Sequence, residues 1–171
     1  MARRVFFSFH YQNDIWRVSQ VRNSNITKEW EANKYLDAAS WESVRRKGDA
    51  AVTAWIDRQI NGTGVTVVLI GAKTAERRFV RYEIEESHNR GNGMLGFYIH
   101  RLKNQHGRPG IKGRNPFLDS SAEVEESFWG LWTTKETRRF SEIYPTYDWV
   151  ADNGYQNINK WIEDAAKKVG R

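Results

Sequence analysis

The feature that most constrains the fold of this chain is an apolar run of six residues, Val65–Ile70, of which five are aliphatic. A continuous β-branched and apolar run is typical of a strand covered on both faces, as in a parallel sheet. Gly71 ends the run, and Thr74 is predicted to be the N-cap of a following helix because its hydroxyl can accept a backbone hydrogen bond. The sequence therefore predicts a buried strand, a tight turn and a helix in immediate succession.

The helix predicted after Thr74 carries one acidic residue beside its apolar face. Phe79, Val80 and Ile84 recur at helical spacing, and Glu83 follows Phe79 by four residues. Since residues four apart lie on the same side of a helix, Glu83 is predicted to sit where the core meets a cleft. A carboxylate in that position is a candidate for chemistry, although a surface ion pair with Arg or Lys is the commoner role for such a residue.

The rest of the chain alternates strands and helices around this unit. Strands are predicted at 5–9, around 35–36 and at 94–99, with helices at about 14–23, 49–59 and near the C-terminus. Such alternation implies parallel βαβ units with right-handed crossovers. The predicted fold is therefore α/β, an open parallel sheet with helices on both faces. Residues 101–115 are predicted to form an exposed loop, and 127–132 a further strand.

Length and composition limit the class of protein. The length of 171 residues is typical of one domain. The absence of cysteine is compatible with a reducing compartment. It has no apolar segment long enough to cross a bilayer and no signal peptide, so a single cytoplasmic domain over 1–171 is expected. The formal charge of +6 permits an anionic partner, such as the pyrophosphate of a dinucleotide. Scattered basic clusters without a recognised motif favour a solvated surface over a nucleic-acid site.

A ligand cleft is expected at one edge of the sheet. In open parallel sheets, ligands bind at the carboxyl ends of the strands, near a switch in strand order. Side chains at or after the first two predicted strands belong to that edge. The nucleotide contacts predicted there are Phe6, Ser8, His10, Tyr11, Asp37 and Trp41. The residues leave open core packing for Phe6, a hydrogen-bonded structural role for His10 and a turn cap for Asp37. No metal is expected, because the four histidines lack zinc-ligand spacing.

Three phrases of the sequence resemble a known family. The opening RRVFFSFHYQND, the run VLIGAKTAERRFVRYEIEES and the late YPTYDWVADNGY are similar to the TIR-like proteins of the Thoeris antiphage defence system, its B component. The resemblance covers about 3–99 and 144–161, and leaves 117–144 as a poorly matched insertion. It implies a flavodoxin-like TIR fold and cleavage of NAD at the nicotinamide–ribose bond. The implied product is a cyclic ADP-ribose isomer that activates a separate effector protein.

The resemblance assigns catalysis to one residue. TIR NADases carry their catalytic glutamate in a phrase of the form aromatic–x–x–x–Glu, which matches Phe79 to Glu83; the wider family often has Trp where this chain has Phe79. Nicotinamide leaves NAD as a neutral molecule, so the leaving group needs no general acid. A carboxylate near the ribose would stabilise the oxocarbenium-like transition state. NAD is thus expected as a substrate, with no cofactor.

A second class of function stays open at this point. A TIR-like module without turnover would assemble with partners through exposed loops, and the unmatched insertion and the basic surface are compatible with that role. The sequence also leaves open a phage-derived activator and an oligomeric state.

Overall fold

The structure is a computed structural model that describes residues 3–24, 30–32, 38–128 and 132–171. The strands of the described residues are β1 (Arg3–Phe9), β2 (Trp30–Ala32), β3 (Val65–Ile70), β4 (Gly93–Tyr98), β5 (Ser121–Phe128), β6 (Trp132–Arg139) and β7 (Thr146–Asp148). The helices are α1 (Tyr11–Asn23), α2 (Ala38–Arg46), α3 (Asp49–Ile60), α4 (Arg78–Asn89), α5 (Phe140–Ile143) and α6 (Gly154–Lys168). Two 3₁₀ turns lie at Thr74–Glu76 and Pro116–Leu118.

Five strands form one parallel sheet in the order β2-β1-β3-β4-β7. With the β5–β6 hairpin set aside, this is the flavodoxin-like strand order, in which the direction of winding reverses between β1 and β3. The register of β1 on β3 runs from Val5 beside Val65 to Phe9 beside Leu69. The predicted fold class is therefore confirmed, and the reversal fixes where a ligand cleft is expected.

Helices cover both faces of the sheet. On one face, Val21 of α1 and Ile158 of α6 lie in a single apolar cluster with alternate residues of β3 and β4. On the other face, Val68 of β3 packs with Ile84 of α4, while α3 packs against Phe6 of β1. Every residue of β3 is buried, as the uninterrupted apolar run predicts. Alternating side chains of β1, β3 and β4 thus supply the apolar clusters on the two faces of the sheet.

Several predicted boundaries differ from those observed. The strand beside β1 is β2, whereas residues 35–36 lie outside the described part of the chain. The helix α2 is an addition to the predicted elements. The first helix begins at Tyr11 rather than Asp14, because the backbone N–H of Asp14 already donates to the carbonyl of His10 at 3.0 Å. The loop predicted at 101–115 is confirmed as mostly exposed and outside regular structure.

The prediction that Thr74 caps the helix after β3 is wrong. Thr74 lies in a 3₁₀ turn, and α4 begins four residues later at Arg78. Its hydroxyl instead accepts a hydrogen bond of 2.9 Å from the backbone N–H of Gly71. A threonine hydroxyl can accept a backbone N–H hydrogen bond in a turn as readily as at the end of a helix. Thr74 therefore fixes the turn that leads from β3 into α4.

Between β4 and β7 in the sequence, β5 and β6 form an antiparallel hairpin, of which 129–131 lie outside the described residues. β5 pairs with β6 from Ser121 beside Arg139 to Phe128 beside Trp132. Of the single strand predicted at 127–132, the structure places Ser127 and Phe128 at the end of β5 and Trp132 at the start of β6, and 129–131 lie outside the described residues. The base of the hairpin is tied to the domain by a backbone hydrogen bond of 2.9 Å from Phe140 to Ser120. In the described residues, no helix is both long and apolar enough to cross a membrane.

Candidate active site

A cleft with a cavity volume of about 430 Å³ opens beside the carboxyl end of β1, next to the reversal in strand order. Its walls come from the end of β1, the start of α1, and residues of α2, α3 and α4. The position agrees with the general rule for open α/β sheets.

Glu83 lies in the wall of this cleft and is only 8% exposed. It occupies the second turn of α4, on the helix face that also buries Val80 and Ile84. The fully buried Ser8 of β1 donates a hydrogen bond of 2.5 Å from its hydroxyl to Oε2 of Glu83. A strand and a helix that are distant in sequence thus hold one carboxyl group in a fixed position.

The surroundings of Glu83 change its acidity. Burial raises the pKa of Glu83 to about 8, and the hydrogen bond from Ser8 opposes part of this rise. Near neutral pH the carboxyl group is therefore mainly protonated in the ligand-free protein. A positive charge placed or formed beside it would favour the ionised form. A group with these properties is suited to a reaction whose transition state carries positive charge.

Aromatic side chains form another wall of the cleft. The rings of Tyr11 and Trp41 are stacked, with centroids 6.2 Å apart and an interplanar angle of 30°. Trp55 meets Trp41 edge to face at 5.7 Å. Phe6 of β1 is 3% exposed and packs in the same region, against α3. Flat aromatic surfaces of this kind are typical of sites that bind a purine or pyridine ring.

Most of the nucleotide contacts predicted from the sequence come together here. Phe6, His10, Tyr11 and Trp41 line the cleft with Glu83. Ser8 does not line the cleft, but its hydroxyl donates a hydrogen bond to Glu83, which does. Asp37 lies outside the described residues.

Sequence reasoning missed the basic rim of the cleft, which consists of Arg22, Arg45, Arg77 and Arg78. Three of these belong to the scattered clusters that the sequence assigns to a solvated surface. Arg78 is bound to Asp49, and Arg45 lies 3.5 Å from Glu42. The signal available in the sequence was the pair Arg77 and Arg78, which stands at the start of the helix that carries Glu83. The other lining residues, which are not among the predicted nucleotide contacts, are Phe7, Phe9, Gln12, Trp55, Gln59, Glu76, Phe79 and Val80.

His10 lines the cleft immediately after β1. Both of its ring nitrogens are buried and lack a hydrogen-bond partner among the residues that the structure covers. Burial lowers the pKa of His10, and the positive charges of Arg77 and Lys73 lower it further, so the imidazole is neutral at neutral pH. Throughout the described ranges, no three acidic or histidine side chains gather in an arrangement suited to a metal ion.

A parallel sheet in this order, with a buried glutamate on the helix after the third strand and an aromatic and basic cleft beside it, defines a TIR-like domain. The family model for the TIR-like domain of the Thoeris protein ThsB matches residues 6–104. A protein of Bacillus cereus (strain MSX-D12) with the name "Putative cyclic ADP-D-ribose synthase ThsB1" is 36% identical over 191 aligned positions, covering 95% of this chain and 100% of the relative. The chain belongs to the ThsB family of Thoeris TIR-like proteins.

Proposed function

We propose that this protein cleaves the nicotinamide–ribose bond of NAD and produces a cyclic ADP-ribose-type signal that activates a separate effector protein. The observation that carries the proposal is the buried Glu83, held by Ser8 in a cleft with aromatic walls and a basic rim. The name of the Bacillus cereus relative supports the same product class. The proposed location is the cytoplasm, and the infection signal is proposed to reach the enzyme as a phage-derived activator.

In this reaction the bond between C1′ of the ribose and the pyridinium nitrogen breaks. The electron pair of that bond goes to nicotinamide, which leaves as a neutral molecule, and the ribose becomes oxocarbenium-like. The positive pyridinium of bound NAD favours the ionised form of Glu83, and the carboxylate then stabilises the charge that moves onto the sugar. The role is electrostatic, so one carboxylate suffices where ordinary glycosidases use two.

Ring closure depends on what reaches C1′ after nicotinamide has left. If the adenine half is folded back, a nucleophile from that half attacks C1′, loses a proton and closes the ring. If water attacks, linear ADP-ribose results. The stacked pair of Tyr11 and Trp41 offers a surface that could hold the adenine and reduce access of water. We propose that this wall favours the cyclic product.

The proposal is tested by the variant Glu83→Gln, assayed with NAD and an extract of phage-infected cells. Loss of a main electrostatic stabiliser is expected to reduce nicotinamide release about a hundredfold or more. The matched control is Glu85→Gln, an exposed position on the same helix whose carboxylate accepts a hydrogen bond from Ser120. Undiminished release by folded, activated Glu83→Gln would reject the catalytic role. A product mass one water below that of ADP-ribose indicates cyclisation.

One observation favours the second candidate function, an interaction module without turnover. The β5–β6 hairpin exposes Glu123, Glu125 and Lys135, and it joins the domain at its base. Such a ribbon offers unpaired strand edges to a partner. A small-molecule filtrate from activated cells separates the two functions. If the filtrate alone switches on the effector, the enzyme is supported; if only the mixed proteins do so, the interaction module is supported.

A further inference from the structure

We infer that His10 and Arg77 form the subsite for the diphosphate of the nucleotide, and that His10 takes up a proton when the diphosphate binds. The inference rests on the proposed function, because it takes the ligand to be NAD or a product that keeps the ADP-ribose part. It adds the position of the diphosphate and a pH dependence of binding.

The first observation is the state of the imidazole. His10 faces a cleft, yet neither ring nitrogen has a hydrogen-bond partner within the described part of the protein, and both are buried. A buried polar atom without a partner destabilises the folded protein, so such atoms are usually satisfied by water or by a ligand. An imidazole in this setting indicates a polar group that enters the cleft beside it.

The second observation is the charge around His10, which indicates the sign of that group. Arg77 lies on the cleft rim with an exposed side chain, and it forms no ion pair with the residues described here. This distinguishes Arg77 from Arg45 and Arg78, which have acidic partners. The positive charges of Arg77 and Lys73 both act on His10, and Glu76 is the acidic residue that opposes them. The net field at His10 therefore favours an anion.

The third observation is the spacing between Arg77 and Glu83. Arg77 immediately precedes α4, and Glu83 lies six residues further on, which is about 9 Å along a helix axis. Both side chains line the same cleft, so one elongated ligand can contact both. With the diphosphate at Arg77 and His10, the nicotinamide ribose can extend to Glu83, and the adenine half can extend to Tyr11 and Trp41.

The pH dependence follows from the same charges. In the free protein, burial and the two cations keep His10 neutral. A bound diphosphate brings two negative charges, which favour the imidazolium and let it donate a charge-assisted hydrogen bond. Because the pKa of His10 then rises on binding, a proton is taken up, and affinity is greatest at low pH and decreases as the pH rises through the bound pKa. Glu83 also titrates in this cleft, so the test must remove it.

The test is titration calorimetry on the Glu83→Gln protein between pH 6 and pH 8, in buffers of different ionisation enthalpy. The probes are ADP-ribose and adenosine, which lacks the diphosphate. ADP-ribose is expected to bind with proton uptake, and adenosine without it. Adding His10→Gln should abolish the uptake and weaken ADP-ribose binding about tenfold at pH 6, while adenosine binding is unchanged.

A second variant does not depend on the histidine. Arg77→Gln, at an exposed side chain, should weaken ADP-ribose binding about tenfold and leave adenosine binding unchanged. The matched control is Arg81→Gln, an exposed arginine of α4 that lies 3.9 Å from Asp119 and does not line the cleft. It should bind both probes normally.

Three results would overturn the subsite: no detectable binding of ADP-ribose, unchanged proton uptake in the His10→Gln protein, or equal weakening of both probes by either variant. NAD cleavage by the activated wild-type protein is measured separately. Cleavage together with any of these results keeps the proposed function and rejects the subsite. Absence of cleavage, with proton uptake that depends on His10, rejects the proposed function and keeps the anion subsite.

Discussion

At the residue scale, the main feature is a carboxyl group that the fold holds in a setting unfavourable to its charge. Glu83 is 8% exposed, and it accepts a hydrogen bond from the neutral hydroxyl of Ser8. A buried carboxylate without a cation beside it is destabilising at pH values where it ionises. A cationic group bound beside Glu83 would remove this penalty, and without one the stability of the protein depends on pH.

We expect Glu83→Gln to stabilise the fold, by an amount that grows with pH. Folding raises the pKa of Glu83 from 4.5 to about 8. The folded state therefore holds its proton more tightly than the unfolded chain, and wild-type stability decreases as the pH rises between these values. The slope is on the order of 1.4 kcal/mol per pH unit, and glutamine removes it. Urea unfolding at pH 5, 6, 7 and 8 measures the difference, and a gap that does not change with pH would contradict this account.

We expect Ser8→Ala to move the pH–rate profile of NAD cleavage. The hydroxyl of Ser8 lowers the pKa of Glu83, so its loss should raise that pKa further. If Glu83 acts as a carboxylate, kcat/KM should increase with pH through about 8 in the wild type. In the variant this increase should move to higher pH, and kcat/KM at pH 7 should fall because less of the carboxyl group is ionised. The measurement is kcat/KM from pH 6 to pH 9.5; an unchanged profile would assign Ser8 to packing alone.

At the element scale, Gly93 allows the helix α6 to lie close to the strand β4. A Cβ built on Gly93, the first residue of β4, would lie 2.2 Å from the backbone carbonyl oxygen of Ala165 in α6. A backbone atom cannot move aside without a displacement of the helix. The contact between α6 and β4 therefore depends on the absence of a side chain at this position.

Gly93→Ala should accordingly destabilise the protein by about 1–3 kcal/mol or more, because overpacking displaces α6 from the sheet. Gly64→Ala is the matched control, since the nearest atom to its Cβ is a side-chain nitrogen of Arg3 at 3.4 Å. Chemical unfolding of both variants at one pH gives the comparison. Equal stability of the two variants would show that α6 can move to accommodate the added methyl group without a loss of unfolding free energy.

Elements whose pattern is local are predictable from the sequence, and those that depend on tertiary contacts are not. β3 is predictable from its apolar run, and the helix after it from apolar residues at helical spacing. Both patterns hold whichever elements pack against them. The role of Thr74 is not predictable in this way. Its hydroxyl can accept a hydrogen bond from a backbone N–H in a turn or at the start of a helix, and the path of the folded chain decides which bond forms. The basic rim escapes detection because Arg45 and Arg77 are 32 positions apart in sequence. Their proximity to one cleft results from the fold.

At the scale of the whole molecule, the hairpin is a separate unit attached to the TIR-like domain. Its base is anchored by Phe117 and Phe140, which are buried against α4, and by a hydrogen bond of 2.6 Å between Nδ1 of His88 and the hydroxyl of Tyr144. Along the described parts of β5 and β6, the side chains of Glu125 and Lys135 are exposed, with their charged atoms 3.6 Å apart. Exposed ion pairs of this kind contribute little to stability.

Replacing residues 123–137 with a short turn should therefore leave the domain folded, with a change in unfolding free energy within about 1 kcal/mol, because the anchoring residues lie outside the deleted segment. Thermal unfolding by circular dichroism measures this, and NAD cleavage by the shortened protein shows whether the cleft is intact. If cleavage persists while activation by the infected-cell extract is lost, the hairpin carries the response to infection. A collapse of the fold would show that the hairpin is part of the core.

The alternation of side chains along β1 has a consequence for the evolution of this site. Ser8 meets Glu83 because it points to one face of the sheet, while Phe7 and Phe9 belong to the cluster on the other face. A single insertion or deletion within 3–9 would invert this order and set a phenylalanine ring against the carboxyl group. Point substitutions in β1 can be absorbed one at a time, but a change in its length would disable the site in one event. In descendants that keep the activity, we expect the spacing between the start of β1 and Ser8 to be preserved more strictly than the identities of the residues between them.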